Sequence, residues 1–235
     1  MINTEKLRSL CEDFLPLSDE ACEKLRIYAE TLLEWNEKMN LTAITDEEEI
    51  LIKHFYDCLL FFKHVKVPQG AKIIDVGTGA GFPGVVLKIA RPDIELCLLD
   101  SLNKRITFLS EVLNRTGLFA QAVHGRAEEA GRDDAFREKY DFAVARAVAR
   151  LPVLSEYCLP FVKVGGEFVS MKGSQGAEEA ADAKRAAALL GGEEPLVLYD
   201  NLPDGSERTF IITKKRSQTP TKYPRNSGKI SKQPL

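Results

Sequence analysis

The sequence contains one tryptophan, three methionines, three histidines and five cysteines, and no two cysteines form a Cys-x-x-Cys pair. His54, His64 and His124 stand far apart, as do Cys11, Cys22, Cys58, Cys97 and Cys158. Neither set has zinc-ligand or disulfide-framework spacing, so no metal is expected and the thiols are expected to be free and buried. No segment approaches the ~20 consecutive apolar residues of a membrane span. Glu5, Glu12 and Asp13 lie where a secretory leader would have its apolar core, so the expected location is cytoplasmic and off the membrane. Internal repeats and low-complexity blocks are also missing. What remains is an ordinary globular composition, 44% apolar and 29% charged over 235 residues. That length suits one domain with appended elements.

Charge of one sign is missing only at the end. The whole chain carries a net −3, yet from Arg208 onward there are eight basic residues and no acidic one. A solvated tail and a phosphate-binding arm both fit such a run. Arg216, Lys222, Arg225, Lys229 and Lys232 are the candidate phosphate contacts, with Tyr223 as a stacking or packing group, while Arg208, Lys214 and Lys215 in or beside the last strand serve partly for edge protection. The competing expectation is that Tyr223-Pro224-Arg225 folds back to brace the domain.

Residues 1–66 read as helices. Ser18 with Asp19 and Glu20 forms an N-cap and acidic first turn. Leu25, Tyr28, Leu32, Trp35 and Met39 then recur at helical steps. Asp46 caps a second stripe through Ile50, Leu51, Phe55, Leu59 and Phe62. After Pro68-Gln69-Gly70 the pattern changes to short apolar runs alternating with helical stretches. Strands are predicted at 72–76, 94–99, 120–124, 141–145 and 167–171, and helices near 83–90, 104–114 and 152–161. Such alternation predicts an α/β fold with a mainly parallel sheet. Residues 196–199 and 208–214, joined through Pro203-Asp204-Gly205, predict a closing antiparallel hairpin. The expected division is a helical cap at 1–66, a cofactor-binding domain at 67–215 and a basic tail at 216–235.

The most informative motif is Asp75-Val76-Gly77-Thr78-Gly79-Ala80-Gly81-Phe82-Pro83-Gly84, between the first strand and a helix. Its glycines permit positive φ and close approach of a ligand. Read from Gly79 it fits a dinucleotide G-x-G-x-x-G pattern, with Asp100 placed as a ribose-binding acid. Read from Gly77 it is acid-x-Gly-x-Gly-x-Gly, which resembles the first motif of Rossmann-like S-adenosylmethionine (AdoMet) methyltransferases. The predicted hairpin also resembles the methyltransferase sheet. A nicotinamide-dependent oxidoreductase is the alternative enzyme, and a non-catalytic RNA-binding factor the alternative of another class.

A closer resemblance lies in an ordered set: Asn40-Leu41-Thr42, His54 with Asp57, the glycine motif, Leu98–Arg105, Gly125–Glu128, Ala145-Arg146-Ala147, Lys172-Gly173, Tyr223-Pro224-Arg225 and Pro234-Leu235. Together these resemble the ribosomal RNA small subunit methyltransferase G family, also called glucose-inhibited division protein B, over essentially the whole chain. Two departures are Cys58, where that family usually has serine, and Lys229-Ile230-Ser231, where its tail is usually rich in threonine and proline.

The resemblance implies AdoMet-dependent methylation of N7 of one guanine in 16S ribosomal RNA, with the small ribosomal subunit as partner. A monomer is the working expectation. It implies Gly77, Gly79, Phe82, Asp100, Ala127, Glu128 and Arg146 as cofactor-binding residues, with Gly79 and Gly81 shaping a turn whose missing Cβ atoms leave room for the cofactor. No catalytic acid or base is expected, because N7 carries a free lone pair and no proton. His54, Asp57 and Lys172 are left between structural roles and RNA placement.

Overall fold

The computed structural model describes residues 2–235. It begins with α1 (Thr4–Cys11) and α2 (Asp19–Met39), followed by the short helices α3 (Glu47–Glu49), α4 (Asp57–Leu59) and α5 (Phe61–His64), with a π-helical stretch, Ile50–Tyr56, between α3 and α4. The alternating region runs β1 (Lys72–Val76), α6 (Gly84–Ala90), β2 (Glu95–Asp100), α7 (Asn103–Thr116), β3 (Gln121–His124), α8 (Ala127–Ala130), β4 (Tyr140–Arg146), α9 (Leu151–Cys158), β5 (Val162–Lys172) and α10 (Gly176–Leu189). The chain finishes with β6 (Leu196–Asn201), β7 (Glu207–Lys214) and α11 (Ser227–Lys232).

Local chemistry sets the helix starts. Ser18 Oγ accepts from the Ala21 amide at 3.1 Å, and Asp46 Oδ1 accepts from Glu48 and Glu49 at 3.0 and 2.9 Å. The helix after Asp46 departs from the regular periodicity expected for it. Its π-helical turns leave the Lys53 carbonyl accepting from Arg146 at 3.0 Å, a tertiary bond in place of strict helical regularity.

The sheet order is β3-β2-β1-β4-β5-β7-β6. β1 to β5 pair in parallel, and β7 runs antiparallel to both β5 and β6. The expected hairpin is therefore present. β5 begins at Val162 rather than at Glu167 because Val162 already pairs with Tyr140, ahead of a register shift between Tyr140 and Phe142.

Alternation along the strands divides the apolar residues between two faces. Ile73, Leu96, Leu98, Phe142 and Val144 join one cluster with α2, the 47–64 helices, α6 and α7. Ile74, Leu99, Ala143, Ala145 and Phe168 join the other with α9, α10 and Tyr223. The N-terminal helices thus share a core with the sheet. All five cysteines are buried and free. Among the described residues no helix is long and apolar enough to cross a membrane.

The 216–235 segment packs back on the second face. Lys215 is fully buried, and its Nζ donates to Leu159 O at 2.6 Å and Thr219 Oγ1 at 2.7 Å. Arg225 donates to Glu156, which is wholly buried, at 2.7 Å, and Tyr223 and Ile230 are buried. Arg216, Lys222, Lys229 and Lys232 remain exposed. Of the five candidate phosphate contacts, Arg225 is therefore a brace: a buried carboxylate needs a paired partner, and this guanidinium supplies it.

Candidate functional site

Strand order reverses between β1 and β4, with β2 and β3 on one side and β5 on the other. A crevice opens beyond the carboxyl ends of strands at such a switch point. Gly77 follows β1 and Arg146 ends β4, so both stand at this crevice.

The glycine turn is tied down from below. Asp75 is fully buried, and its Oδ2 accepts from Thr78 Oγ1 at 2.7 Å and from the Gly84 amide at 2.8 Å, holding both ends of the turn. Its Oδ1 is buried with no hydrogen-bond partner. Burial raises this carboxyl to about 6, against the two hydrogen bonds that favour its charged form. The Gly77 and Thr78 amides donate to Leu99 O at 2.8 and 3.1 Å, which docks the turn against β2.

Gly77, Gly79 and Gly81 all have positive φ, at 70°, 61° and 99°. Their surroundings differ. A Cβ on Gly79 would meet nothing closer than Gly77 O at 3.9 Å. A Cβ on Gly77 would lie 2.9 Å from Val148 Cγ2. At Gly81 it would lie 2.7 Å from Tyr28 Oη and from Val85 Cγ2. The space kept open by Gly81 is therefore filled by helix packing, contrary to the expectation that a ligand takes it. Tyr28 Oη also donates to Ala80 O, so α2 grips the turn directly. A phenol within an apolar stripe needs such a partner when buried, and that was the sequence signal for Tyr28.

Four of the cofactor residues expected from the resemblance come together. Gly77, Asp100, Ala127 and Glu128 line a cavity of about 160 Å³, with Val148 and Tyr157 at its side. Asp100 is almost fully buried at the end of β2. Its Oδ2 accepts from the Gly79 amide at 2.9 Å and Arg105 at 3.2 Å, and its Oδ1 from the Leu102 amide at 2.9 Å. A carboxylate offers about four acceptor sites, so capacity for a further donor remains. Gly79 itself touches the cavity only through this bond to Asp100.

Phe82 and Arg146 belong to a neighbouring cluster. The Phe82 ring stacks on His54 at 4.4 Å, and the Arg146 guanidinium lies over it at 4.9 Å. Arg146 Nη1 donates to Asp57 Oδ2 at 2.9 Å, and Nη2 donates to His54 Nδ1 at 3.0 Å. A guanidinium has no acceptor, so Nδ1 is bare and the ring proton sits on Nε2, which donates to Thr42 Oγ1 at 2.9 Å. Burial, and then the Arg146 charge, push His54 down to about 3. The other oxygen of Asp57 accepts from Arg208 Nε at 3.0 Å. This cluster borders a second cavity, of about 320 Å³, lined also by Ile44, Lys53, Met171, Lys172 and Gly173. Lys172 is occupied by Glu179 at 2.8 Å and by Ala149 O at 2.5 Å, so it braces the loop carrying Val148. In the sequence Arg208 reads as a basic residue protecting the edge of the last strand, and nothing there brings it to Asp57.

The model of the family described as rRNA small subunit methyltransferase G matches residues 21–201. The chain is 54% identical over 221 residues to ribosomal RNA small subunit methyltransferase G of Acetivibrio thermocellus, covering 93% of this chain and 90% of that protein. It is 48% identical to the protein of the same name from Exiguobacterium sp., over 100% of both chains. Among solved structures it is similar in fold to an AdoMet-dependent O-methyltransferase of Thermotoga maritima, with a TM-score of 0.52 at 17% identity, covering 80% of this chain and 73% of that one.

Proposed function

The chain belongs to the rRNA small subunit methyltransferase G family, and from that premise we propose that it transfers a methyl group from AdoMet to N7 of one guanine in 16S ribosomal RNA. The observation that carries the reading is the cavity shared by Gly77, Asp100, Ala127 and Glu128 beside the arginine-lined one. Carboxylates from β2 and α8 suit the hydroxyl and amine donors of an adenosine, and Val76, Leu99 and Ala127 supply apolar walls for its base. About 160 Å³ is less than a ligand of that size needs. Val148 packs on Gly77 and is 39% exposed, so on this reading it is the side chain that yields.

Gly77, Gly79, Phe82, Asp100, Ala127, Glu128 and Arg146 are proposed as the cofactor residues. Gly79 acts through Asp100, and Phe82 and Arg146 act from the side of the second cavity. When bound, AdoMet supplies a methyl carbon to the N7 lone pair while the carbon–sulfur electron pair returns to sulfur, leaving a thioether and a cationic 7-methylguanine. No proton leaves the acceptor, so the chain needs no general base. His54, held near 3 by burial and Arg146, is unsuited to that work at neutral pH in any case. What the residues provide is alignment. The turn is held by Asp75 and Tyr28, and Arg146 is fixed by three acceptors.

The reading treats the protein as a cytoplasmic monomer with a helical region at 1–66, a catalytic domain at 67–215 and a tail at 216–235. Thermal protection tests the cofactor half. AdoMet should raise the melting temperature and NAD should not, whereas protection by NAD alone would restore the dinucleotide reading.

A further inference from the structure

The two arginines of the second cavity are not equivalent. Arg146 commits Nη1 to Lys53 O and Asp57, and Nη2 to His54. Arg208 makes only two bonds, from Nε to Asp57 and from Nη1 to the Glu207 carbonyl. Its Nη2 has no hydrogen bond among the described residues. Asp57 is 4% exposed and accepts from both arginines, so the Arg208 guanidinium is oriented yet keeps free donors on a cavity of about 320 Å³. The remaining wall includes Ile44, Met171 and Gly173, an apolar slot with an open glycine, since a Cβ on Gly173 would meet nothing within 4 Å. A flat apolar ring with one acceptor at its edge is the ligand such a slot fits.

We propose that this cavity receives the acceptor guanine and that Arg208 donates to its O6. The inference rests on the reading above that guanine N7 is methylated. In the major-groove edge of guanine, N7 and O6 are adjacent acceptors, whereas adenine presents an amino donor in place of O6. An arginine reading guanine usually takes both atoms. Here the N7 lone pair forms the new bond, so the guanidinium can engage O6 alone, and a single free Nη2 is what the structure offers. Adenine at the same place would set donor against donor. Of the cations lining the cavity, Arg208 keeps the most uncommitted donors among the described residues: Arg146 is tied by three bonds, Lys172 is held by Glu179 and Ala149 O, and Lys53 is paired with Glu49.

The test uses full-length protein, methyl-labelled AdoMet and small-subunit particles whose rRNA carries either guanine or 2-aminopurine at the mapped position. 2-Aminopurine keeps N7 and lacks O6. The wild type should methylate guanine about 10- to 100-fold faster, the range set by one hydrogen bond to a charged group. Arg208→Met should lose most of its rate on guanine and little on 2-aminopurine, so that the ratio falls toward one. Arg208→Lys, which keeps a charge beside Asp57, should keep an intermediate ratio and guards against a variant that fails to fold. An unchanged ratio in both variants overturns the proposal. So does an equal loss on both acceptors with a flatter salt dependence, which would make Arg208 a phosphate contact. If the wild type methylates no guanine in the particle, the underlying reading falls and takes this one with it, a result distinct from an unchanged ratio.

Discussion

Asp57 and Arg146 stand 89 residues apart in the sequence and meet at 2.9 Å at the carboxyl edge of the sheet. One end of this pair belongs to the N-terminal helices and the other to β4, so it joins the helical region to the crevice. Arg208 completes it from β7. Asp57→Asn leaves two guanidiniums without their shared counter-charge, and breaking a buried pair costs about 3 kcal/mol or more. Urea denaturation at pH 7 should show that loss. A change below about 1 kcal/mol, the value for exposed pairs, would mean the cluster is solvated.

His54 makes stability depend on pH. Its folded value lies near 3, below the ordinary 6.5, so the unfolded chain binds the proton more tightly. Its contribution is complete above 6.5 and is lost as pH falls from 6.5 toward 3. Asp75 works in the opposite sense. Its folded value, about 6, lies above the ordinary 3.8, so its contribution is complete below 3.8 and is lost as pH rises through 6. Replacing the histidine isolates its part: between pH 7 and 5, the urea midpoint of His54→Asn should fall less than that of the wild type. Parallel slopes would contradict a buried neutral histidine.

The turn glycines should separate under mutation. Gly81→Ala puts a methyl 2.7 Å from Tyr28 Oη and Val85 Cγ2 at a φ of 99°, so it should lower the melting temperature clearly. Gly79→Ala enters open space at a φ of 61°, and the left-handed conformation alone costs about 1–2 kcal/mol. Its larger effect should fall on AdoMet affinity, through the Gly79 amide on Asp100. Calorimetry and thermal melts on the two variants check this. Equal melting temperatures would contradict the packing role of Gly81.

Truncation after Lys215 should lower stability as well as RNA affinity. It strips Arg225 from the buried carboxylate of Glu156, takes Thr219 from Lys215 Nζ and removes buried Tyr223 and Ile230. A truncated protein with the wild-type melting temperature would show that the 216–235 segment does not brace the domain. The exposed Arg216, Lys222, Lys229 and Lys232 can still meet phosphate, so a quadruple glutamine variant should weaken RNA binding and flatten its salt dependence without changing the melting temperature.

Periodicity carried the reading wherever burial repeats along the chain. β1 has the expected bounds, Lys72–Val76, because its residues alternate between the two apolar clusters. The hairpin was legible from a turn too short to hold a helix. Gly77, Asp100, Ala127 and Glu128, named from the resemblance, line one cavity because each ends a strand or lies just beyond one, where a linear motif and a spatial one coincide. Arg208 was not found. Its place depends on β7 lying antiparallel beside β5, with Thr209 opposite Lys172, a pairing that no local signal reveals. For Gly81 the expected ligand space is taken by packing, and for Arg225 the bracing alternative holds in place of the phosphate contact, for a related reason. Nothing near Gly81 in sequence indicates that Tyr28 fills its space, and nothing near Arg225 points to Glu156. Lys215 resembles a surface charge until the carbonyls of Leu159 and Val162 are seen to surround it.

The most direct measurement is to incubate the protein with labelled AdoMet and small-subunit particles from a strain lacking it, then to map the methylated base. The expected result is label on one guanine of the 16S RNA, at N7, with none when Asp100 is replaced by alanine at limiting AdoMet. Label on another base or another atom, or RNA binding without any transfer, would contradict it.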